Sequence, residues 1–163
     1  MNGALKQVFL DQGRLYYSRD PSMVRTVLGS CVSVCLVDRH ARAGGMNHYV
    51  LPACNDGSGS PRYGDAAITR LIQAMNRLGC DCNDLRAKIF GGATVLPYGA
   101  AEDTVGDRNV AIAEALLDRY GIPITARCTG GDAGMIVRLH TTTGDVMVRC
   151  VTKSAETMEC ALT

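Results

Sequence analysis

The chain has 163 residues, of which 47% are hydrophobic and 20% charged, with a formal net charge of +1. That length fits one domain with a sizeable core. Seventeen basic residues against 16 acidic ones, and no tryptophan, argue against a nucleic-acid partner or an anionic membrane surface.

No stretch approaches the roughly 20 apolar residues of a membrane span, so no membrane insertion is expected. Residues 1–17 are mixed polar and apolar and lack the pattern of a secretory leader. The first marked element is residues 32–37, a β-branched run that reads as a buried strand. Residues 38–43 are turn-like, and residues 45–51 read as a second strand, giving a hairpin. A pairing centred near Ala41 would place Cys31 and His48 side by side at its open end. A Gly/Ser/Pro/Asn loop covers residues 54–62. The next segment predicts a helix with Ile68, Leu71, Ile72, Met75 and Leu78 on one face and Gly79 as its stop. Residues 87–90 read as a short strand into Gly91-Gly92, and residues 94–105 as a loop. A second helix runs from Asp107 as N-cap to Tyr120, with Ala113, Leu116, Leu117 and Tyr120 inward and Gly121 as stop. Strands follow at residues 124–128, 135–140 and 145–151, with a turn at Thr143-Gly144. Residues 1–152 form the domain, and residues 153–163 read as a flexible tail. Strands, helix, strand, helix, strands predict a single-domain α/β sandwich with mixed and antiparallel pairing.

Eight cysteines without a secretory pattern favour reduced thiols. Cys80-x-Cys82 and Cys31-x-x-x-Cys35 are poor zinc spacings, and His40, His48 and His140 complete no metal pattern, so no metal is expected. Most thiols then read as small core residues. Cys31 differs because it sits in Leu28-Gly29-Ser30-Cys31-Val32, at the glycine edge of the apolar run. Cys35 shares its face but lies inside the run. A thiol and an imidazole are the minimum parts of a cysteine nucleophile, and His48, in Gly44-Gly45-Met46-Asn47-His48, is its candidate base. Taken alone, Cys31 and His48 are each more often packing residues. His40 lies in a polar turn, and His140 has no nucleophile near it in sequence. Gly91-Gly92 and Gly130-Gly131 fit turns near a cleft rather than a phosphate loop. Arg108-Asn109 stands at a helix start, where amides could hold an anion, although a simple cap is the favoured reading.

Together these segments resemble the CheD family of chemoreceptor glutamine deamidases. The matching pieces are Leu28-Gly29-Ser30-Cys31-Val32-Ser33-Val34-Cys35-Leu36, Gly44-Gly45-Met46-Asn47-His48-Tyr49-Val50-Leu51-Pro52, Tyr63-Gly64-Asp65, Ala87-Lys88-Ile89-Phe90-Gly91-Gly92-Ala93, Gly106-Asp107-Arg108-Asn109 and Thr129-Gly130-Gly131. They fall in the family's order over residues 5–151.

The resemblance implies a cytoplasmic bacterial hydrolase that converts receptor glutamines to glutamate through a Cys31–His48 thioester mechanism. It needs no cofactor, and its sandwich is similar to that of toxin-type cysteine deamidases. Methyl-accepting chemotaxis receptors are the implied substrate, and a CheC-like phosphatase the implied partner. Gly29, Ser30 and Asn47 are candidates for substrate or oxyanion contacts, beside the backbone amide of Cys31. The family's third residue is a threonine upstream of the cysteine. Thr26 is the candidate, one position closer than the family pattern, and a one-residue slip turns a strand side chain to the other face. Cys128 and Met135 also depart from the pattern, where aspartate and arginine are common. The alternatives are a docking module for a phosphatase or receptor without turnover, and a thiol hydrolase of small amides or esters.

Overall fold

The structure is a computed structural model, and it describes residues 4–94, 103–151 and 159–163. Ten strands and two helices follow in the order β1 (Lys6–Phe9), β2 (Arg14–Ser18), β3 (Ser22–Leu28), β4 (Val32–Asp38), β5 (Ala43–His48), α1 (Gly64–Arg77), β6 (Arg86–Gly91), α2 (Val105–Arg119), β7 (Ile124–Thr129), β8 (Gly134–His140), β9 (Val146–Val151) and β10 (Glu159–Leu162). They form two five-stranded sheets, β1-β3-β8-β9-β10 and β2-β5-β4-β6-β7. β1–β3 and β6–β7 are parallel and the other pairs antiparallel, so the sandwich is mixed as expected. No helix among the described residues is long and apolar enough to cross a membrane.

β4 explains the layering. All seven of its residues are buried, because both of its faces are covered. Val32, Val34 and Leu36 point toward α1 and α2, joining Ile68, Leu71, Met75 and Leu117. Cys35 and Val37 point between the sheets, joining Val24, Leu28, Met46, Phe90 and Val137. β5 is squeezed from both sides. A Cβ on Gly44 would collide with the Thr141 backbone across the sandwich, and one on Gly45 would meet Leu71 of α1.

Several expectations need correction. The N-cap of α2 is Thr104, whose hydroxyl accepts the Asp107 N–H, while the Asp107 carboxylate accepts the Thr104 N–H. Asp107 therefore completes a capping box rather than starting the helix. Tyr120 is 40% exposed instead of inward. Three strands precede residue 32 where none was marked. The segment 153–163 is not wholly a tail, because β10 pairs antiparallel with β9. The buried amine of Lys88 donates to the Leu162 carbonyl at 3.0 Å and to the Gly144 carbonyl at 2.8 Å. Most of the loop expected at 94–105 lies outside the described residues.

Gly44→Ala should lower stability by about 1–3 kcal/mol, since the added methyl meets backbone that cannot give way. An unchanged urea midpoint would show that the sheets separate more easily here than their packing implies.

Candidate active site

Cys31 stands one residue before β4, and His48 ends β5. Between them Val32 and Tyr49 exchange two backbone hydrogen bonds, of 3.1 and 3.0 Å. Their side chains enter the helix-side core. Alternation therefore turns Cys31 and His48 to the opposite face, between the sheets. In this register Cys31 opposes Val50 and His48 opposes Ser33. The two are diagonal neighbours rather than side by side, about 7–8 Å apart at their α-carbons.

Thr26 comes from the other sheet. β3 buries Ser22, Val24, Thr26 and Leu28 and turns Arg25 and Val27 outward. The Thr26 hydroxyl donates to the Leu10 carbonyl at 2.8 Å and lies 2.7 Å from His48 Nδ1. A hydroxyl has one proton. With that proton on Leu10, Oγ1 can only accept, so Nδ1 carries hydrogen and Nε2 keeps its lone pair. Nε2 is buried without a hydrogen-bond partner among the described residues.

Burial acts against the charged form of both groups. Burial pushes the Cys31 thiol above its usual 9.0, opposed by its own backbone N–H and the Arg62 guanidinium. Burial pulls the His48 imidazole below 6.5, opposed by the Leu10 carbonyl and the Asp11 carboxylate. Cys35 is fully buried and pushed up to about 12, which makes it a packing residue.

His48 and Thr26 lie at the base of an open cavity of about 380 Å³, with residues 10–12 along one wall. Its rim carries exposed Phe9 and Val27. Gln12 reaches in from the turn between β1 and β2, its Nε2 4.0 Å from Cys31 Sγ. Nothing in the sequence singled out Gln12, an exposed polar residue in a turn.

Of the residues expected to contact substrate or oxyanion, Gly29 and Ser30 bond to the scaffold through their backbone carbonyls. The Gly29 carbonyl accepts the Ala93 N–H at 2.9 Å, and the Ser30 carbonyl accepts Asn109 Nδ2 at 3.0 Å. Asn47 holds the scaffold instead of facing the cavity, and its Oδ1 accepts the Val34 N–H at 2.8 Å. Asn109 is a residue whose role the sequence reading missed. It is fully buried, and its amide spans the Ser30 and Val50 carbonyls, the latter at 2.8 Å. It therefore clamps the adjoining ends of β4 and β5, while Arg108 is exposed beside Asp103. Gly91, at φ 105°, packs where a Cβ would collide with the Cys31 carbonyl, and Gly92 N–H donates to that carbonyl at 2.9 Å. His40 is exposed in the hairpin turn. His140 contacts Thr142 and Thr143 of its own turn.

These parts define an α/β sandwich protein with a thiol, an imidazole and a hydroxyl assembled between its sheets. A family model described as CheD chemotactic sensory transduction matches residues 50–150. A Rhodospirillum rubrum protein named "Probable chemoreceptor glutamine deamidase CheD" is 52% identical over 159 residues, covering 98% of this chain and 90% of that protein. A Sulfurimonas denitrificans protein of the same name is 42% identical, covering 90% and 95%. The chain belongs to the CheD family. Among solved structures, the Bacillus licheniformis hypothetical protein YfiH aligns with TM-score 0.50 at 17% identity. It covers 74% of this chain and 62% of its own, and supports the fold alone.

Alkylation of Cys31 by iodoacetamide, followed on its own peptide by mass spectrometry, should rise steadily with pH through 9.0 and beyond. A raised thiol pKa means that the thiolate accumulates only there. A plateau near neutral pH would instead reveal a thiolate–imidazolium pair.

Proposed function

We propose that this protein hydrolyses glutamine side-chain amides of chemoreceptors to glutamate, with Cys31 as nucleophile, His48 as proton carrier and Thr26 as the residue that positions the imidazole. One observation carries the mechanism: the Thr26 relay leaves the Nε2 lone pair free on the sheet face that Cys31 shares. His48 takes the thiol proton as Sγ attacks the carboxamide carbon. The tetrahedral intermediate collapses, the imidazolium gives its proton to the leaving nitrogen, and ammonia departs from a thioester. Water then adds to the thioester, its proton passing to Nε2, and the thiol and a glutamate side chain are released.

A protein substrate is favoured by the shape of the site. The open cavity at His48 and Thr26 adjoins Cys31 through Gln12, and with Phe9 59% and Val27 44% exposed at its rim it suits a carboxamide presented from another protein's surface. An enclosed cavity would suit free glutamine. The names of the relatives point the same way. A thiol nucleophile among eight free cysteines fits the reducing cytoplasm. A CheC-like phosphatase is the further partner that family membership suggests.

Incubation with a chemoreceptor cytoplasmic fragment should add the roughly one-dalton mass of amide-to-acid hydrolysis at particular glutamines. Cys31→Ala should abolish the gain while keeping the fold. Free glutamine should remain unchanged, and its hydrolysis would favour a small-amide hydrolase. No mass change on the cognate fragment by folded protein would favour the docking module.

Thr26→Ala should lower kcat about 10–100-fold, less than His48→Ala, because it loosens the base without removing it. Thr26→Ser should restore most of the rate. Equal and severe losses from Thr26→Ala and His48→Ala would mean that the threonine does more than position.

A further inference from the structure

We propose that Gln12 is a further catalytic residue, whose side-chain amide donates a hydrogen bond to the oxyanion formed when Cys31 is acylated. This inference rests on Cys31 being the acyl-accepting nucleophile described above.

The turn carrying Gln12 is fixed to the catalytic strands on both sides. Leu10 N–H donates to the Arg25 carbonyl of β3 at 2.8 Å, and Gly13 N–H donates to the His48 carbonyl at 2.7 Å. Arg14 N–H closes the turn on the Asp11 carbonyl at 3.2 Å. Gly13 adopts φ 72° and packs against the Arg62 side chain, where a Cβ would have no room. Gln12 is exposed, yet its position follows that of His48 and Thr26 because all three hang on these strands.

The distance suits a charge-stabilising donor. When a carbonyl carbon bonds to Sγ, its oxygen stands off the sulfur. A donor about 3 Å from that oxygen can then lie about 4 Å from the sulfur. Gln12 Nε2 is 4.0 Å from Sγ. The backbone N–H of Cys31 already faces its own Sγ, so the oxyanion would receive one backbone and one side-chain hydrogen bond. His48 carries the proton and Gln12 answers the negative charge.

Acylation and alkylation separate these roles. With p-nitrophenyl acetate, Sγ bonds to the acetyl carbon, an oxyanion forms and p-nitrophenolate leaves, while the thiol proton passes to His48 and then to water. With iodoacetamide, Sγ displaces iodide and no oxyanion forms. Both rates are read on the Cys31 peptide by mass spectrometry, so the other cysteines do not intrude. Gln12→Ala and Gln12→Glu should both slow acylation about 10–100-fold and leave alkylation of Gln12→Ala unchanged. Deamidation of a receptor fragment by Gln12→Ala should show the loss in kcat rather than KM.

Unchanged acylation would overturn the proposal. Equal slowing of both reactions by Gln12→Ala would also overturn it, since Gln12 would then act on the thiol itself. Faster acylation by Gln12→Ala would make Gln12 a plug over the nucleophile. Conversion of Gln12 to glutamate in the wild type but not in Cys31→Ala would make it an internal substrate. Acylation by the ester needs no chemoreceptor, so its outcome stands apart from whether receptors are deamidated.

Discussion

The hydrogen bond between Thr26 and His48 joins the two sheets at the candidate site. Thr26 belongs to β3 and His48 to β5, and each of these strands lies between two neighbours in its own sheet. Neither can slide independently of the packing. The 2.7 Å contact therefore depends on how closely the sheets approach, and that approach is set by the core of Val24, Leu28, Met46 and Val137. Gly44 permits it by presenting no side chain to Thr141. A threonine in this place is doubly committed. Its proton goes to Leu10 and its lone pair to Nδ1, so the imidazole tautomer follows from the backbone trace of the segment leaving β1.

A second constraint governs the spacing of the thiol and the imidazole. Regular pairing of β4 with β5 runs from Asp38–Ala43 to Cys35–Met46 and resumes as an isolated bridge at Val32–Tyr49. In the gap, side chains replace backbone partners. Asn47 Oδ1 takes the Val34 N–H, and the Ser33 hydroxyl donates to the Asn47 carbonyl. Beyond the bridge the strands would be free to splay, but Asn109 holds the Ser30 and Val50 carbonyls together. The Tyr49 hydroxyl returns the contact by donating to the Asn109 carbonyl at 2.5 Å. Helix α2 thus reaches through the helix-side core to the end of the hairpin that carries Cys31 and His48.

The parts legible in sequence are those whose pattern matches their burial. β4 is apolar on both faces because both are covered, and α1 carries one apolar stripe because only one face is covered. β3 breaks this correspondence. Its inner face reads Ser22, Val24, Thr26, Leu28 and its outer face Met23, Arg25, Val27, so polarity does not mark the inside. The polar inner residues are there because they have partners: Ser22 N–H donates to Thr141, and Thr26 bonds Leu10 and His48. The direction of Thr26 follows from that pairing and could not be fixed by counting residues from Cys31. Asn47 misled for the converse reason. It directly precedes His48, and strand alternation sends neighbours to opposite faces. β10 is short, and nothing in its own composition shows that β9 presents a free edge to it. Gln12 is set beside Cys31 only by the return of the chain from β1 into β2.

Burial disfavours the charged form of both the Cys31 thiol and the His48 imidazole, and this bears on which reaction the site suits. A thiolate–imidazolium pair would expose a standing nucleophile to any passing electrophile or oxidant. Here burial raises the thiol and lowers the imidazole, and under the proposed mechanism the thiol would be activated as it attacks. That arrangement demands proton transfer in the transition state, which would be a handicap for substrates with good leaving groups. For an amide the same proton is required at the next step, because nitrogen cannot depart as an anion. An imidazolium held below its ordinary pKa is a stronger acid toward that nitrogen than a free histidine would be. The Thr26 contact keeps Nδ1 occupied, so in the proposed acylation step the proton that Nε2 delivers to nitrogen is the one it received from Cys31. In the proposed mechanism, the burial that makes the thiol slow to ionise would be the same burial that makes its proton useful to the departing ammonia.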